Sequence, residues 1–498
     1  MNKLYQDFKK YLSKVADIEN SLAILSWDQE VNMPKNGASF RAQQIATISA
    51  YAHELSTSTE LGDLLEQLQS DDTLSFEEKR NIEKTAKKYN DNKKFDADFI
   101  KKYSYTVSEC FNKWHQAKSE SNFKIFAPHL KQLIELTKEK AAILNNGETL
   151  YDSLLDEYEP NMNVATLDPL FNNVKHQLTP FVKSIFDCKV PDDAFMYKHY
   201  PKQKQFDFTI ELLKNIGYDF NSGRQDISTH PFSTSFNPQD VRITTRINEN
   251  DLSEILWSSI HEGGHALYEQ GLKAEHYGLP SGTYLSLSIH ESQSRLYENN
   301  LGRSLAFWEF QFPKLQKTFP ENLQNVSVQD FYKAMNLVKP SLIRTNADEL
   351  TYHFHIMIRY EIEKAIINEN IDVNELPELW NTMYKTYLNV DIPSDDKGIL
   401  QDIHWSHGSF GYFPTYSLGS FFAAQFFNKF TLDYPTYETS FLKGDYSLLL
   451  DWLRTNIHQH GRIFDSNELC KKVTGENLNF KYFMDYAKSK YENLYELN

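Results

Sequence analysis

The sequence predicts a mainly α-helical protein, a large two-lobed helical body with one small β element, on three observations. Its 498 residues include only 18 glycines and 17 prolines, little more than half the ordinary combined share of about 12%. That leaves few of the turn residues on which β architecture depends. Helix-period spacing with charged faces runs through the first 150 residues, as in Leu61, Leu64, Leu65 and Leu68 after the Ser/Thr cluster at 56–58. Period-two spacing of β-branched residues is confined to one stretch, where Val241, Ile243, Thr245 and Ile247 alternate with Arg242, Thr244 and Arg246.

In chain order, the opening Met1-Asn-Lys-Leu-Tyr reads as a first amphipathic helix, because its lysines are not followed by an apolar run or a small-residue cleavage site. Ser75-Phe-Glu-Glu78 writes a capping box, and so a helix start. After the Asn237-Pro238 turn, the alternating stretch predicts a short hairpin. Asp251-Leu-Ser-Glu254 resembles a second capping box, and Gly271 supplies a left-handed stop, which together predict a helix of about five turns. Leu285 to Asn300 has helical periodicity before Gly302. No linker, repeat or low-complexity tract divides the chain. Residues 1–498 therefore read as a single domain, with an N-terminal helical lobe to about 150 and a core at about 225–420.

Lys and Arg total 52 against 68 Asp and Glu, a formal charge of −16, which argues against nucleic acid or an anionic membrane as partner. The most apolar late stretch, Tyr416 to Phe427, is too short to cross a bilayer. Cys110, Cys188 and Cys470 are odd in number and far apart, so neither a disulfide framework nor a cysteine-ligated zinc is expected. These features point to a cytoplasmic protein.

Inside the predicted helix lies His261-Glu262-Gly263-Gly264-His265, an HEXXH pattern. Residues i and i+4 share one face, so both imidazoles can reach a single Zn²⁺, and Glu262, rotated about 100°, can touch a water there. A purely structural helix would gain nothing from two interior glycines, each costing about 1 kcal/mol relative to alanine. They make sense where another backbone approaches closely. A third ligand must come from elsewhere, leaving one position open. Glu269, Glu275, His276, His290, Glu291 and Glu298 all follow downstream. Spacing favours Glu291, far enough beyond His265 for a loop at Gly278 to Gly282 and a returning helix. The alternatives remain open at this level, since Glu291 can also pair with Arg295 at i+4 and Glu298 lies one turn further on the same face.

Further blocks accompany that motif. They are Trp27-Asp-Gln-Glu-Val-Asn-Met-Pro34, Arg41-Ala42, Ala52-His-Glu-Leu55, Tyr151 to Pro160, Asp240-Val-Arg-Ile-Thr244, His290-Glu-Ser292, Ile343-Arg-Thr-Asn-Ala-Asp348, Gln401-Asp-Ile-His-Trp405, Asn456-Ile-His-Gln-His-Gly461 and Thr474-Gly475. In this order they resemble the carboxypeptidase Taq family of thermostable metallocarboxypeptidases from end to end. The resemblance implies an all-helical homodimer with a small sheet beside a long substrate groove, and metal-dependent release of single residues from peptides with a free C-terminus. It also implies one metal per chain on His261, His265 and Glu291, with Glu262 as general base. Asn161 stands where the family usually has glycine.

Zn²⁺ suits two imidazoles and a carboxylate, and Co²⁺ or Mn²⁺ would fit similar geometry. The glycine-hinged stretch His407 to Tyr416 offers Tyr412, Tyr416 and His407 as donors to an oxyanion. A free C-terminal carboxylate is best held by arginine, and Arg242, Arg246, Arg295 and Arg344 are the candidates, although Arg344 can instead brace Asp348 at i+4 and Arg242 can sit on a solvated strand face. His353, His355, His458 and His460 read as structural or supporting, with Asp348 or Asp402 as possible carboxylate partners. Two other functions compete: a helical metallo-oligopeptidase that cuts inside short peptides, and an inactive peptide-binding protein.

Overall fold

The structure is a computed structural model describing residues 2–369 and 371–497. Helix accounts for 70% of it, and the sheet has three strands, so the mainly helical expectation holds. No described helix is long and apolar enough to cross a membrane.

Two compact units interleave along the sequence. The first takes residues up to Lys93, then Pro191–Met335 and Phe422–Leu478; the second takes Lys94–Val190, Asn336–Phe421 and the residues from Asn479 onward. In the first, the opening helix Lys3–Val31 buries Tyr5, Phe8, Tyr11, Leu12 and Val15 against Leu55, Leu61, Leu65, Leu68, Ile82 and Leu279. Leu61, Leu65 and Leu68 repeat at helical spacing and supply one apolar stripe. The capping box at Ser75 forms as written: Glu78 Oε2 accepts from the Ser75 backbone N–H at 2.9 Å, and Ser75 Oγ accepts from the Glu78 N–H at 3.3 Å.

The hairpin is present as β2 (Ser233–Asn237) antiparallel to β3 (Asp240–Thr245), joined at Asn237-Pro238. A strand the sequence does not advertise, β1 (Gly223–Ile227), pairs parallel to β3 on its other side. Its inward residue is Gln225, whose amide donates to Ser259 Oγ at 2.9 Å, so the face that meets the neighbouring helix is polar and the period-two hydrophobic signal is lost. Alternation along β3 also breaks at Thr244, which is buried like Val241, Ile243 and Thr245, and Arg246 and Ile247 lie beyond the strand. Thr244 Oγ accepts from Phe232 N and bonds Ser228 Oγ, which makes its burial tolerable.

The motif helix spans Leu252–Gln270. Asp251 caps it by accepting from Ser253 N at 2.9 Å, but no capping box forms, because Glu254 instead pairs with Arg246. Gly271 is not left-handed either, with φ −90°. A Cβ there would lie 2.4 Å from His458 Nδ1, so space, not backbone conformation, calls for glycine. The expected departure at Asn161 has a backbone reason: φ is 66°, the left-handed region that glycine occupies freely and asparagine tolerates better than most residues.

A returning helix, Leu287–Arg295, follows, capped by Ser286 and continued by a π-helical turn over Leu296–Leu301. Gly264 is where the two helices meet. A Cβ at 264 would lie 2.7 Å from both the Gln293 carbonyl oxygen and the Ser294 Cα, the close backbone approach that the paired glycines imply. Gly263 instead faces the ends of Leu213, 2.7 Å away, and Ile216, 3.4 Å away. These side chains can yield. Gly264→Ala is therefore expected to destabilise by about 1–2 kcal/mol, overpacking of roughly 1–3 kcal/mol outweighing about 1 kcal/mol of helix propensity, whereas Gly263→Ala stays near neutral. Chemical denaturation of the two metal-free variants side by side tests the difference.

Candidate metal centre

His261 and His265 project from one face of the motif helix, and Glu291 faces them from the returning helix. Glu291 Oε2 lies 3.3 Å from His265 Nε2 and 3.6 Å from His261 Nε2. One ligand atom from each of the three residues falls within 4.8 Å of the others, which makes this a group able to hold a metal ion. Two imidazoles and one carboxylate are the donor set of catalytic zinc, with room for a fourth ligand.

The other oxygen of Glu291 is committed. Arg295 Nε donates to Oε1 at 2.7 Å, and Ser294 Oγ donates to Oε2 at 2.9 Å. Ligand geometry and the i+4 ion pair, rivals on sequence alone, thus coexist on different oxygens. Glu298, in the π-helical turn, is not part of the group. Its Oε2 pairs with His261 Nδ1 at 2.8 Å and accepts from Arg295 at 3.0 Å, and its Oε1 accepts from Arg303 at 3.3 Å. A carboxylate on Nδ1 fixes the tautomer that leaves Nε2 facing Glu291.

Charge balance follows from these pairings. Burial alone would raise the Glu291 carboxyl, but Arg295 and the imidazoles hold it well below the usual carboxylate range. Glu298 is likewise pulled down against burial, by Arg295 and by its bond to His261. Burial works against protonation of His261, yet Glu291 and Glu298 raise it above an ordinary imidazole. His265 goes the other way, to about 3, through burial and the neighbouring His290. Glu262 is buried and pushed up to about 7 by desolvation, with Glu291 adding to the rise and His261 and a bond from Ser233 opposing it. Ser233 opens β2, so the sheet contributes a group that sequence spacing could not connect to the motif.

The remaining predicted residues sort by partner. Arg242 donates through Nε and Nη2 to its own Asp240, both at 2.8 Å, and lies 4.4 Å from the ring centroid of Trp27. Arg344, His407, Tyr412 and Tyr416 belong to the second unit. Arg344 does not brace Asp348: it is buried and donates to Asp402 at 3.0 and 2.8 Å and to Tyr352 Oη at 2.9 Å, while Asp348 caps Leu350 and Thr351. Tyr416 packs its ring 4.9 Å from the Arg344 guanidinium, and its hydroxyl lies 3.1 Å from His404 Nε2. Tyr412 rests on Tyr158 and Tyr416, whereas exposed His407 packs at a tilt against Phe111, ring centroids 4.8 Å apart. His353 and His355 bond Ser417 and Tyr384, not Asp348 or Asp402. A cavity of about 790 Å³ lined by Lys204, Phe208, Lys214 and Lys314 contains none of these groups.

Sequence reasoning missed Arg359 and Glu363. Arg359, fully buried, supplies the second guanidinium on Asp402. Buried Glu363 accepts from Tyr151 at 2.7 Å, Trp405 at 2.8 Å and the Gly411 backbone at 2.9 Å, anchoring the loop that carries Tyr412. Apart from the Arg359 bond to the His355 carbonyl one turn back, the partners of both lie far away in sequence, so no spacing could flag them.

Residues 7–491 match the family model of carboxypeptidase Taq (M32) metallopeptidases. The chain is 40% identical over 494 residues to carboxypeptidase 1 of Bacillus subtilis (strain 168), and 39% identical over 507 residues to thermostable carboxypeptidase 1 of Thermus thermophilus, with 99% of each chain covered in both cases. The solved M32 carboxypeptidase from Deinococcus radiodurans R1 superposes with a TM-score of 0.97 at 34% identity, covering 100% of both chains. With the His261, His265 and Glu291 arrangement already described, a match of this extent means that the chain belongs to the carboxypeptidase Taq family of metallopeptidases.

Proposed function

We propose that this metal-dependent carboxypeptidase releases single residues from the C-terminus of peptides, with His261, His265 and Glu291 holding one divalent cation and Glu262 moving the proton. The observation that carries the reading is the convergence of three ligand atoms within 4.8 Å beside a buried carboxylate from the same helix turn. Zn²⁺ is the proposed ion, with Co²⁺ or Mn²⁺ able to use the same donors. When bound, it supplies Lewis acidity that lowers the pKa of water from 15.7 towards about 7 and polarises the scissile carbonyl.

Glu262 accepts the proton of the attacking water and then delivers it to the departing amine nitrogen. Its buried setting keeps its basicity high enough for the first step and its acidity sufficient for the second. Glu298 holds His261 through Nδ1, and Arg295 keeps Glu291 ionised. For the free C-terminal carboxylate we assign Arg344: three of its five N–H groups are fixed by Asp402 and Tyr352, which leaves a rigid guanidinium with two donors. Tyr412 and Tyr416 are the proposed oxyanion donors, with His407 the alternative donor and Arg242 the alternative partner for the substrate carboxylate. By family resemblance we further propose a homodimer, and by composition a cytoplasmic one.

Mass analysis of peptide products, with and without chelator, tests the reading. Stepwise loss of single C-terminal residues is expected, abolished by chelator and absent for a C-terminally amidated peptide. Equal cleavage of the amidated peptide, or release of larger fragments, would establish an oligopeptidase instead. Absence of both stoichiometric metal and activity after adding Zn²⁺ or Co²⁺ would leave a peptide-binding protein.

Glu262→Gln should retain one metal per chain and lose about 10²–10⁴-fold in kcat, checked by metal analysis beside steady-state kinetics. Metal uptake should also release a proton. In the metal-free protein His261 holds its proton more tightly than a free imidazole, and a ligand nitrogen must give it up. Titration calorimetry at pH 6 in buffers of differing ionisation enthalpy should therefore show net proton release on metal uptake.

A further inference from the structure

Ligating imidazoles are ordinarily oriented by a hydrogen bond to the nitrogen that does not touch the metal. His261 follows that rule through Glu298. His265 does not: its Nδ1 is buried and has no hydrogen-bond partner among the described residues. Something else must fix the plane of that ring.

His290 lies against it. The two rings stack with centroids 4.3 Å apart and planes 18° from parallel. His290 is itself gripped on several sides. Its Nε2 lies 2.9 Å from Glu269 Oε1, and its ring packs on Tyr284 at 4.7 Å and on Tyr268 at 5.7 Å. Tyr284 is backed by Arg462, which donates to its carbonyl at 3.1 Å and lies 5.2 Å from its ring centroid. The Tyr268 hydroxyl accepts from Leu285 N at 3.1 Å. His290 therefore has little freedom to tilt.

The arrangement is written along both helices. His261, His265 and Glu269 recur every four residues on one face of the motif helix, and His290 immediately precedes Glu291 on the returning helix. With Nε2 turned to Glu269, His290 stays outside the metal-ligand group, although sequence spacing admits it as a candidate.

We propose that Glu269 and His290 are positioning residues for the metal, the Glu269 carboxylate pinning the His290 ring so that its stacked face orients the His265 imidazole in place of a hydrogen bond. The inference rests on His265 being a ligand, and it extends that reading by assigning a role to the first residue of the His-Glu-Ser block.

The test is Zn²⁺ affinity of the full chain by chelator competition, with the melting temperature of each metal-free protein measured beside it. His290→Ala is expected to weaken Zn²⁺ about 10–100-fold. His290→Phe, which keeps a flat ring but cannot bond Glu269, should recover much of that loss. Glu269→Gln should stay near wild type, because its amide oxygen still accepts a ring N–H, while Glu269→Ala should fall about tenfold. Metal-free melting temperatures of His290→Phe and Glu269→Gln should match wild type. Wild-type affinity in both His290→Ala and Glu269→Ala would overturn the proposal. So would equal losses in the alanine and phenylalanine variants that track a falling metal-free melting temperature. If His290→Ala does not fold, the contrast between Glu269→Ala and Glu269→Gln decides alone: a difference supports the pairing and no difference overturns it. His265→Ala separates the two levels, since undiminished affinity there removes the ligand assignment itself, while its loss alongside an indifferent His290 removes only the stack.

Discussion

Backbone contact between the motif helix and the returning helix is the constraint on which the site depends. A carboxylate side chain is short, so Glu291 reaches the Nε2 atoms of His261 and His265 only if the helix carrying it runs close by. Gly264 provides that closeness against Gln293 and Ser294. The HEXXH pattern specifies ligand and base types at three positions and says nothing about the two between them. In this chain one of those two sets the distance to the Glu291 carboxylate, and the other accommodates the flexible ends of Leu213 and Ile216.

Electrostatics at the centre favour added positive charge. Glu262, Glu269, Glu291 and Glu298 are all buried within a few turns of helix, against Arg295 and Arg303. Burying ionised carboxylates without compensation is costly. In the metal-free protein protons supply part of the compensation, which is why His261 and Glu262 both hold theirs more tightly than in water while Glu291 and Glu298 remain ionised. A divalent cation among the ligand atoms would take over that role. The same burial that makes these groups hold their protons thus favours cation binding.

Much of this was legible in the sequence, for identifiable reasons. Four-residue spacing of two histidines is a local signal and survives folding unchanged, as does the Ser75 cap. The hairpin could be read because its alternation is hydrophobic. The third strand could not, since Gln225 turns a polar side chain inward to Ser259, and a buried polar contact between distant segments has no periodicity. The same limit explains Ser233 on Glu262, Arg359 on Asp402 and Glu363 beneath Gly411. Gly271 shows the opposite error: a residue correctly marked as special, but for the space occupied by His458 rather than for its backbone angle. The interleaving of each unit from three separated segments leaves no compositional mark at all.

Sorting the arginines by the bonds they already make explains why they cannot share one role. Arg242 and Arg246 each face an acid close in sequence, Asp240 and Glu254, and Arg242 also lies beside Trp27. Arg295 is tied to two carboxylates of the metal centre, so drawing it towards a substrate would release Glu291 from the charge that keeps it ionised. Arg344 pairs with an acid that has a second guanidinium in reserve, because Asp402 is also held by Arg359. A carboxylate arriving at Arg344 would meet a cation whose existing partner stays neutralised if the pairing loosens. Two arginines on one aspartate leave this cluster with net positive charge inside a chain of charge −16, an excess of the sign that a carboxylate ligand would complement.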